Sequence, residues 1–326
     1  MAQLTSLTLN TSSSLDLSNT TENTSSAGNL WYDSADSRLK YSWYGGTWSA
    51  GGALITARRN LAGAGTQNAG LAFGGGNPST VSCTEEYDGS SWSAGGALIT
   101  ARYDLAGAGT LDAGLAFGGS GGNLTSCTEE YDGSSWSAGG ALITARRQLA
   151  GAGTQNAGLA FGGSNGSVST VGTCTEEYDG STWTTGGALI TSLRELAGAG
   201  TQNAGLAFGG RTQPTPSIAS CTEEYDGSSW SAGGTLINAR RELAGAGTQN
   251  AALAFSGRDP GSNTVSCTEE YDGTSWSAGS ALITARRQLA GAGTQNAGLA
   301  FGGYDFEFNN ASCTEEYNMV INITNI

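Results

Sequence analysis

The sequence predicts an all-β fold, a six-bladed β-propeller with an N-terminal extension, and two observations predict it. First, one paragraph of sequence is written six times, starting at Arg58, Arg102, Arg146, Leu193, Arg240 and Arg286. Its tryptophans, Trp48, Trp92, Trp136, Trp183, Trp230 and Trp276, fall 44, 44, 47, 47 and 46 residues apart. A period of that length, rich in Gly and aromatics, is what blades of four short strands produce. Second, the ends do not match: the last repeat reaches Tyr317 without a tryptophan of its own, and Trp48 precedes any complete repeat. A strand carrying Trp48 is therefore expected to complete the blade begun at Leu289. That would join the two ends of the chain and remove an open sheet edge.

The elements follow in order. Residues 1–46 form the extension. Residues 1–27 are rich in Ser, Thr and Asn with short alternations (Leu7, Leu9; Leu15, Leu17), which suits a disordered segment or a β-forming arm that orders on assembly. LWYDSADSRLKYSWY, Leu30 to Tyr44, reads as a hairpin around Ser34 to Ser37. The propeller spans residues 47–317. In the unit from Leu61, LAGAGTQ is the first strand and NAGLAFGG the second, turned through Asn68 to Gly70. SCTEEYDG, Ser82 to Gly89, is the third, and SSWSAGGALI, Ser90 to Ile99, holds the fourth and the link onward. The small residues of the first strand suit the crowded axis, and Phe73, Tyr87 and Trp92 suit the wider gaps outside. Residues 318–326 are β-prone and are expected to add a strand.

Composition narrows the function. A net charge of −14 argues against nucleic acid and anionic membrane surfaces. Histidine is absent, which excludes imidazole as base or metal ligand, and Lys40 is the only lysine. One cysteine per repeat (Cys83, Cys127, Cys174, Cys221, Cys267, Cys313) places equivalent thiols too far apart to bridge, so buried, reduced thiols are expected, as in a protein folded in cytosol. No stretch has the pattern of a signal peptide or the length to span a bilayer, which predicts no membrane insertion.

The double Gly after an apolar strand, the Tyr-Asp, the Trp and the Arg opening the next unit (Gly74-Gly75, Tyr87-Asp88, Trp92, Arg102) resemble the kelch repeat. The resemblance covers residues 47–317, with Leu193 replacing one Arg and Ser256-Gly257 one Gly pair. The Tyr-to-Trp spacing lacks the order of sialidase Asp boxes. Kelch-fold galactose oxidases use copper-binding histidines, which this chain lacks, so no metal and no cofactor is expected. The hairpin resembles short hairpins of bacteriophage tail and fibre proteins.

Several features invite a chemical reading. Each third strand carries a Glu pair, such as Glu85-Glu86 and Glu129-Glu130. Paired carboxylates serve glycoside hydrolysis, but neighbours on a strand point to opposite faces, and a pair repeated in every blade lacks the asymmetry of a catalytic site. The expected role is structural, one Glu of each pair meeting a repeated Arg, such as Arg58 or Arg102, as a blade-to-blade strut. The six tryptophans are expected in the core rather than as a carbohydrate platform, since each buries roughly 150–250 Å², worth at most about 4–6 kcal/mol. The Gly-x-Gly stretches have no helix after them, so no phosphate loop is expected, and Asp88-Gly89 is read as a turn rather than a calcium loop.

What varies between copies is the insert joining second and third strands: Gly76 to Ser82, Ser120 to Ser126, Ser164 to Thr173, Arg211 to Ser220, Arg258 to Ser266 and Tyr304 to Ser312. Strand alternation puts these inserts on one face with the inter-blade links. Variable loops on a rigid scaffold are where binding resides, so Arg211, Arg258, Asp259, Tyr304, Phe306 and Phe308 are the candidate ligand-binding residues. The function expected is non-enzymatic: a structural or adhesive component of a phage-like virion (tail fibre, tail tip or capsid surface), assembled in the host cytoplasm. Its partners would be other virion proteins through the arm, a host surface protein or glycan through the inserts, and further copies of itself. The rival readings are an intracellular protein-binding adaptor and a glycan-active enzyme.

Overall fold

The computed structural model describes residues 30–33, 38–166, 172–307 and 309–325. The expected arm over residues 1–27 and the hairpin turn Ser34 to Ser37 lie outside them. Every regular element among the described residues is a strand, and the strands build six antiparallel blades around one axis. Blade 1 comprises Ala62–Thr66, Ala69–Phe73, Thr84–Tyr87 and Trp92–Gly95, hydrogen-bonded in that order. Blades 2 to 5 repeat it with the same register. The fourth strand stops at Gly95, and Gly96 onward belongs to the link.

The small first strand has a steric cause. A Cβ built on Gly63 would lie 2.4 Å from Cζ of Phe301 in the neighbouring blade, and Gly107 stands in the same relation to Phe73. No side chain fits where the innermost strands meet the preceding blade's phenylalanine. The apolar cores lie between blades rather than within them. Leu71 and Phe73 of blade 1 pack with Leu105, Tyr131 and Trp136 of blade 2, and the same set recurs around the ring. A single blade therefore has no core of its own.

Trp48 closes the ring, as the repeat count requires. The Arg38–Gly51 strand pairs with Thr314–Asn325, placing Trp48 opposite Tyr317, just as Trp92 lies opposite Tyr87. Trp48 is 8% exposed and packs on Phe255 of blade 5 at 5.1 Å between ring centroids. Its indole N–H donates to Thr268 Oγ1 at 2.9 Å, and each of the other five tryptophans donates to the equivalent Thr of the preceding blade at the same distance. The tryptophans are thus core residues with their one polar atom satisfied, not a sugar platform.

The Glu pairs divide their work between two faces, but the strut is corrected. In five of the six blades the first Glu of the pair does meet the repeated Arg, and the two lie within one blade rather than in two. Arg58 pairs with Glu85, Arg102 with Glu129 at 3.1 Å and Arg240 with Glu269 at 3.0 Å, all buried. Glu85 also accepts the amides of Ile55 and Thr56, so arginine and carboxylate together fasten the incoming link to the blade it joins. The blade-to-blade contact belongs to the second Glu. Tyr131 donates its hydroxyl to Glu86 of blade 1, and Tyr87 donates to Glu316 of blade 6 at 2.6 Å. Burial first, and then the bond to Glu316, push the Tyr87 hydroxyl up to about 12, so it stays a donor. The cysteines are free, but not buried as expected: five are partly buried and Cys127 is exposed. The third strand begins at the following Thr, which leaves each thiol outside the sheet.

Beyond the blades, one structure has no counterpart in the other repeats. Where blades 1 to 5 turn through Asp-Gly, the two closing strands of blade 6 run on together. Lys40 to Gly46 pair with Asn325 to Met319, and Leu30–Asp33 adds a third strand. The expected domain boundaries at residues 47 and 318 fall inside these continuous strands. This three-stranded stalk rises about 20–25 Å from the face that carries the Asp-Gly turns, at about 3.4 Å per residue.

Two predictions follow from the packing. Deleting residues 1–50 leaves blade 6 without its outer strand and exposes the Thr314–Tyr317 edge. That variant is expected to aggregate or lose most of its thermal stability, and melting like the full chain would disprove closure. The second uses a natural contrast. Leu193 occupies the arginine position in blade 4, and Glu223 stays buried, holding the amides of Ile190 and Thr191 with no cation paired to it among the described residues. Glu269→Gln strands the Arg240 guanidinium and is expected to cost about 3–5 kcal/mol. Glu223→Gln loses only an acceptor and is expected to cost about 1–3 kcal/mol. Equal costs in denaturant unfolding would show that the arginine does not depend on its carboxylate.

Candidate functional site

The links and inserts share one face, opposite the stalk. Five of the inserts are closed by a backbone bond onto the second residue of the Gly pair (Ser256-Gly257 in blade 5), as from Val81 N–H to Gly75 O at 2.9 Å and Val265 N–H to Gly257 O at 3.0 Å. The first Gly needs positive φ (Gly74, +65°), and a Cβ there would meet Arg102 O at 2.7 Å. Ser256 fills this place in blade 5 with φ of 61°, its hydroxyl donating to the neighbouring backbone and accepting Arg286 N–H at 3.0 Å.

At the centre of this face is a ring the sequence reading missed. Asn60, Asp104, Gln148, Glu195, Glu242 and Gln288 sit one per blade just before the first strand, all with φ between 55° and 57°. Each N–H donates to the carbonyl of its counterpart in the preceding blade at 2.9–3.0 Å, and Asn60 donates to Gln288 to close the circle. A left-handed conformation costs a non-glycine residue about 1–3 kcal/mol, and here six backbone hydrogen bonds hold it. The signal was present: the residue before each repeat's first Leu is always Asn, Asp, Gln or Glu. These side chains rim a cavity of about 100 Å³ floored by Leu61 and its five equivalents.

Arginines surround the ring. Arg241 bonds Glu195 at 2.5 Å and Glu242 at 3.0 Å, and Arg287 lies 3.5 Å from Glu242. Burial pushes the Asp104 carboxyl up to about 6; Arg147 opposes this, and the Glu195 and Glu242 charges add to it. Burial raises Glu242 in the same way.

The described candidate residues from the inserts are on this face but not in one pocket. Arg211 and Thr212 pair with Leu193 and Arg194, which holds that insert flat against its own link. Arg258 donates to Ser262 O at 3.0 Å, and Asp259 accepts the Asn263 amide at 2.8 Å; the bonds from Asn263 hold its carboxyl below the usual range. Both residues shape their own loop. Tyr304 carries the Arg59 and Arg287 guanidinium groups over its ring, at 4.3 and 4.9 Å. That stacking ties the last insert to the first link, so Tyr304 is built into the seam that closes the ring. Phe306, 65% exposed, is the aromatic this insert presents to solvent, and Phe308 lies outside the described residues. Sequence reasoning also missed six isoleucines on the links, Ile55 to Ile283, each 56–64% exposed. The ALIT-type wording repeats them, but burial of the preceding Leu and exposure of the Ile become evident only once the link is placed.

No protein-family model matches the sequence, and no curated protein matches it significantly. The kelch resemblance therefore rests on the residues of the repeat themselves.

The ring gives a pH prediction. Asp104 has a folded value of about 6 against an ordinary 3.8. Its burial costs nothing while the group is protonated in both states, below about pH 4, and the full cost is reached as pH rises through 6. Asp104→Asn is expected to raise stability at pH 7 by about 1–3 kcal/mol and to leave it unchanged at pH 3.5. A loss of stability at pH 7 would mean that the charged form is needed by the ring.

Proposed function

We propose that the chain is a non-enzymatic display module, a kelch-like propeller that serves as a structural or adhesive component of a phage-like virion. One observation carries this reading: the stalk and the variable inserts leave the propeller on opposite faces. A stalk held at one end turns the inserts outward, as an attachment protein requires. The insert face offers exposed isoleucines, Phe306 and the arginines Arg211 and Arg258, a mixture suited to a host surface protein or glycan. The paired carboxylates support a non-hydrolytic role. The first of each pair is buried against the link and the second holds a neighbouring tyrosine, so neither is set across an open cleft.

The test has two parts. Mass spectrometry of purified particles should find the chain in the virion, whereas an intracellular adaptor would stay in the lysate and a glycan-active enzyme would degrade a polysaccharide panel. On the isolated protein, short Gly-Ser turns grafted in place of the inserts, or Phe306→Ser alone, should weaken attachment to the host surface while the melting temperature holds. Undiminished attachment after grafting would move binding to the N-terminal extension and reduce the propeller to a spacer.

A further inference from the structure

We infer that Asn165 is a site of covalent self-modification: the backbone nitrogen of Gly166 attacks its side chain, and the blade 3 insert gains a negative charge and an isoaspartyl linkage. Asn165-Gly166 is the one Asn-Gly pair in the chain. Every other asparagine is followed by Leu, Ala, Thr, Met, Ile, Asn or Pro. A Cβ on the following residue hinders closure of the five-membered ring, and glycine has none. The fold puts this pair where the chemistry can run. Ser164 exchanges both backbone hydrogen bonds with Arg147, at 2.9 and 2.8 Å, which pins the insert at its start. Just beyond, Asn165 is half-buried and Gly166 is exposed. Gly166 has φ of +84°, and a Cβ built on it would meet nothing nearer than Leu124 Cδ1 at 3.9 Å. Its N–H donates to the Ser164 hydroxyl at 3.3 Å, a long bond, so the attacking nitrogen is not locked in a sheet. The repeated Asn68-Ala69 pairs differ: they turn a hairpin, and Ala69 already belongs to a strand, paired with Thr66.

The five Asp-Gly turns are an internal contrast. They carry the same glycine, but a carboxyl yields to this attack only when protonated. Asp88 accepts the amides of Ser91 and Ser90, both at 2.8 Å, and the bonds from its own turn hold its carboxyl down at about 2. Asp132, Asp179, Asp226 and Asp272 are held in the same way. The turns of the repeat are thus protected by their own hydrogen bonds, and the reactive position falls in a variable insert.

The step needs no co-reactant other than water. The Gly166 nitrogen gives up its proton and bonds to Asn165 Cγ, and the side-chain amide leaves as ammonia. Water then opens the cyclic imide at either carbonyl. One opening gives aspartate; the other routes the backbone through the side chain and gives isoaspartate. A neutral position becomes an anion in a loop anchored on the cationic Arg147. Because that anchor precedes the reacting pair, the change stays in the insert and the blade keeps its packing.

The experiment is to incubate the full chain in warm, mildly alkaline buffer and follow it by intact-mass and peptide mass spectrometry. A gain of one mass unit is expected, located at Asn165, as a mixture of aspartate and isoaspartate. It should run faster as pH rises, because the attacking nitrogen must lose its proton, and the aged chain should keep its melting temperature. Gly166→Ala adds a Cβ and should slow the gain by about tenfold or more. Asn165→Gln, which would need a six-membered ring, should stop it over the same period. A gain that is undiminished in both variants, or that comes first at another asparagine, would overturn the inference. So would aspartate with no isoaspartate, isoaspartate arising first at the Asp-Gly turns, or a lowered melting temperature in the aged chain.

Discussion

Closure of the ring is the constraint on which everything else depends. Each interface between blades contains the apolar core, the Trp-to-Thr bond, the Tyr-to-Glu bond and the backbone bond of the central ring, and a blade alone has none of these complete. Six interfaces exist only if the sixth blade is whole, and that blade is assembled from both ends of the chain. Gln67 shows how the closing seam copies the others: its amide bonds Tyr317 O at 2.8 Å, just as Gln155 bonds Tyr131 O at 2.7 Å. The seam between blades 1 and 2 is the exception, because Leu111 takes the place of that Gln and packs against the core.

The charges are sorted by the same architecture. Five arginines are consumed in buried pairs, where they fix the path of the link more surely than they add stability. The other arginines of the propeller, among them Arg59, Arg147, Arg241 and Arg287, lie on the insert face, and the Asp-Gly turns make the opposite face acidic. The molecule is therefore polar along its axis: variable, partly apolar and arginine-bearing at one end, acidic and stalked at the other. The difference between the two ends arises from strand direction, and it is what the proposed attachment role would use.

Most of the fold was legible because a six-fold repeat multiplies each weak signal. The period gave the blade, and the surplus Trp48 gave the closure. Where the reading missed, the cause is that a period fixes spacing but not partners. Arg58 has a Glu in its own blade and an equivalent one in the next, and nothing in a translationally repeated sequence says which it meets. The cysteines were expected in the core because Cys is a small apolar residue, yet the strand starts one position later. The left-handed ring was missed because Asn, Asp, Gln and Glu, rather than Gly, occupy it. Tyr304 was read as a candidate binding residue because nothing in the sequence places Arg59, from the other end of the chain, and Arg287 over its ring. Sequence variation marked out the insert face, but only the fold separated loop-shaping residues such as Asp259 from an exposed one such as Phe306.

The most direct measurement is native-state hydrogen exchange across the closing strand. If closure holds the propeller together, the amides of Thr47 to Gly51 and Thr314 to Tyr317 will be as protected as those of Trp136 to Gly139 in blade 2 and will open only with the whole molecule. Exchange of the Thr47 to Gly51 amides at fraying rates, while blades 1 to 5 stay protected, would contradict the account.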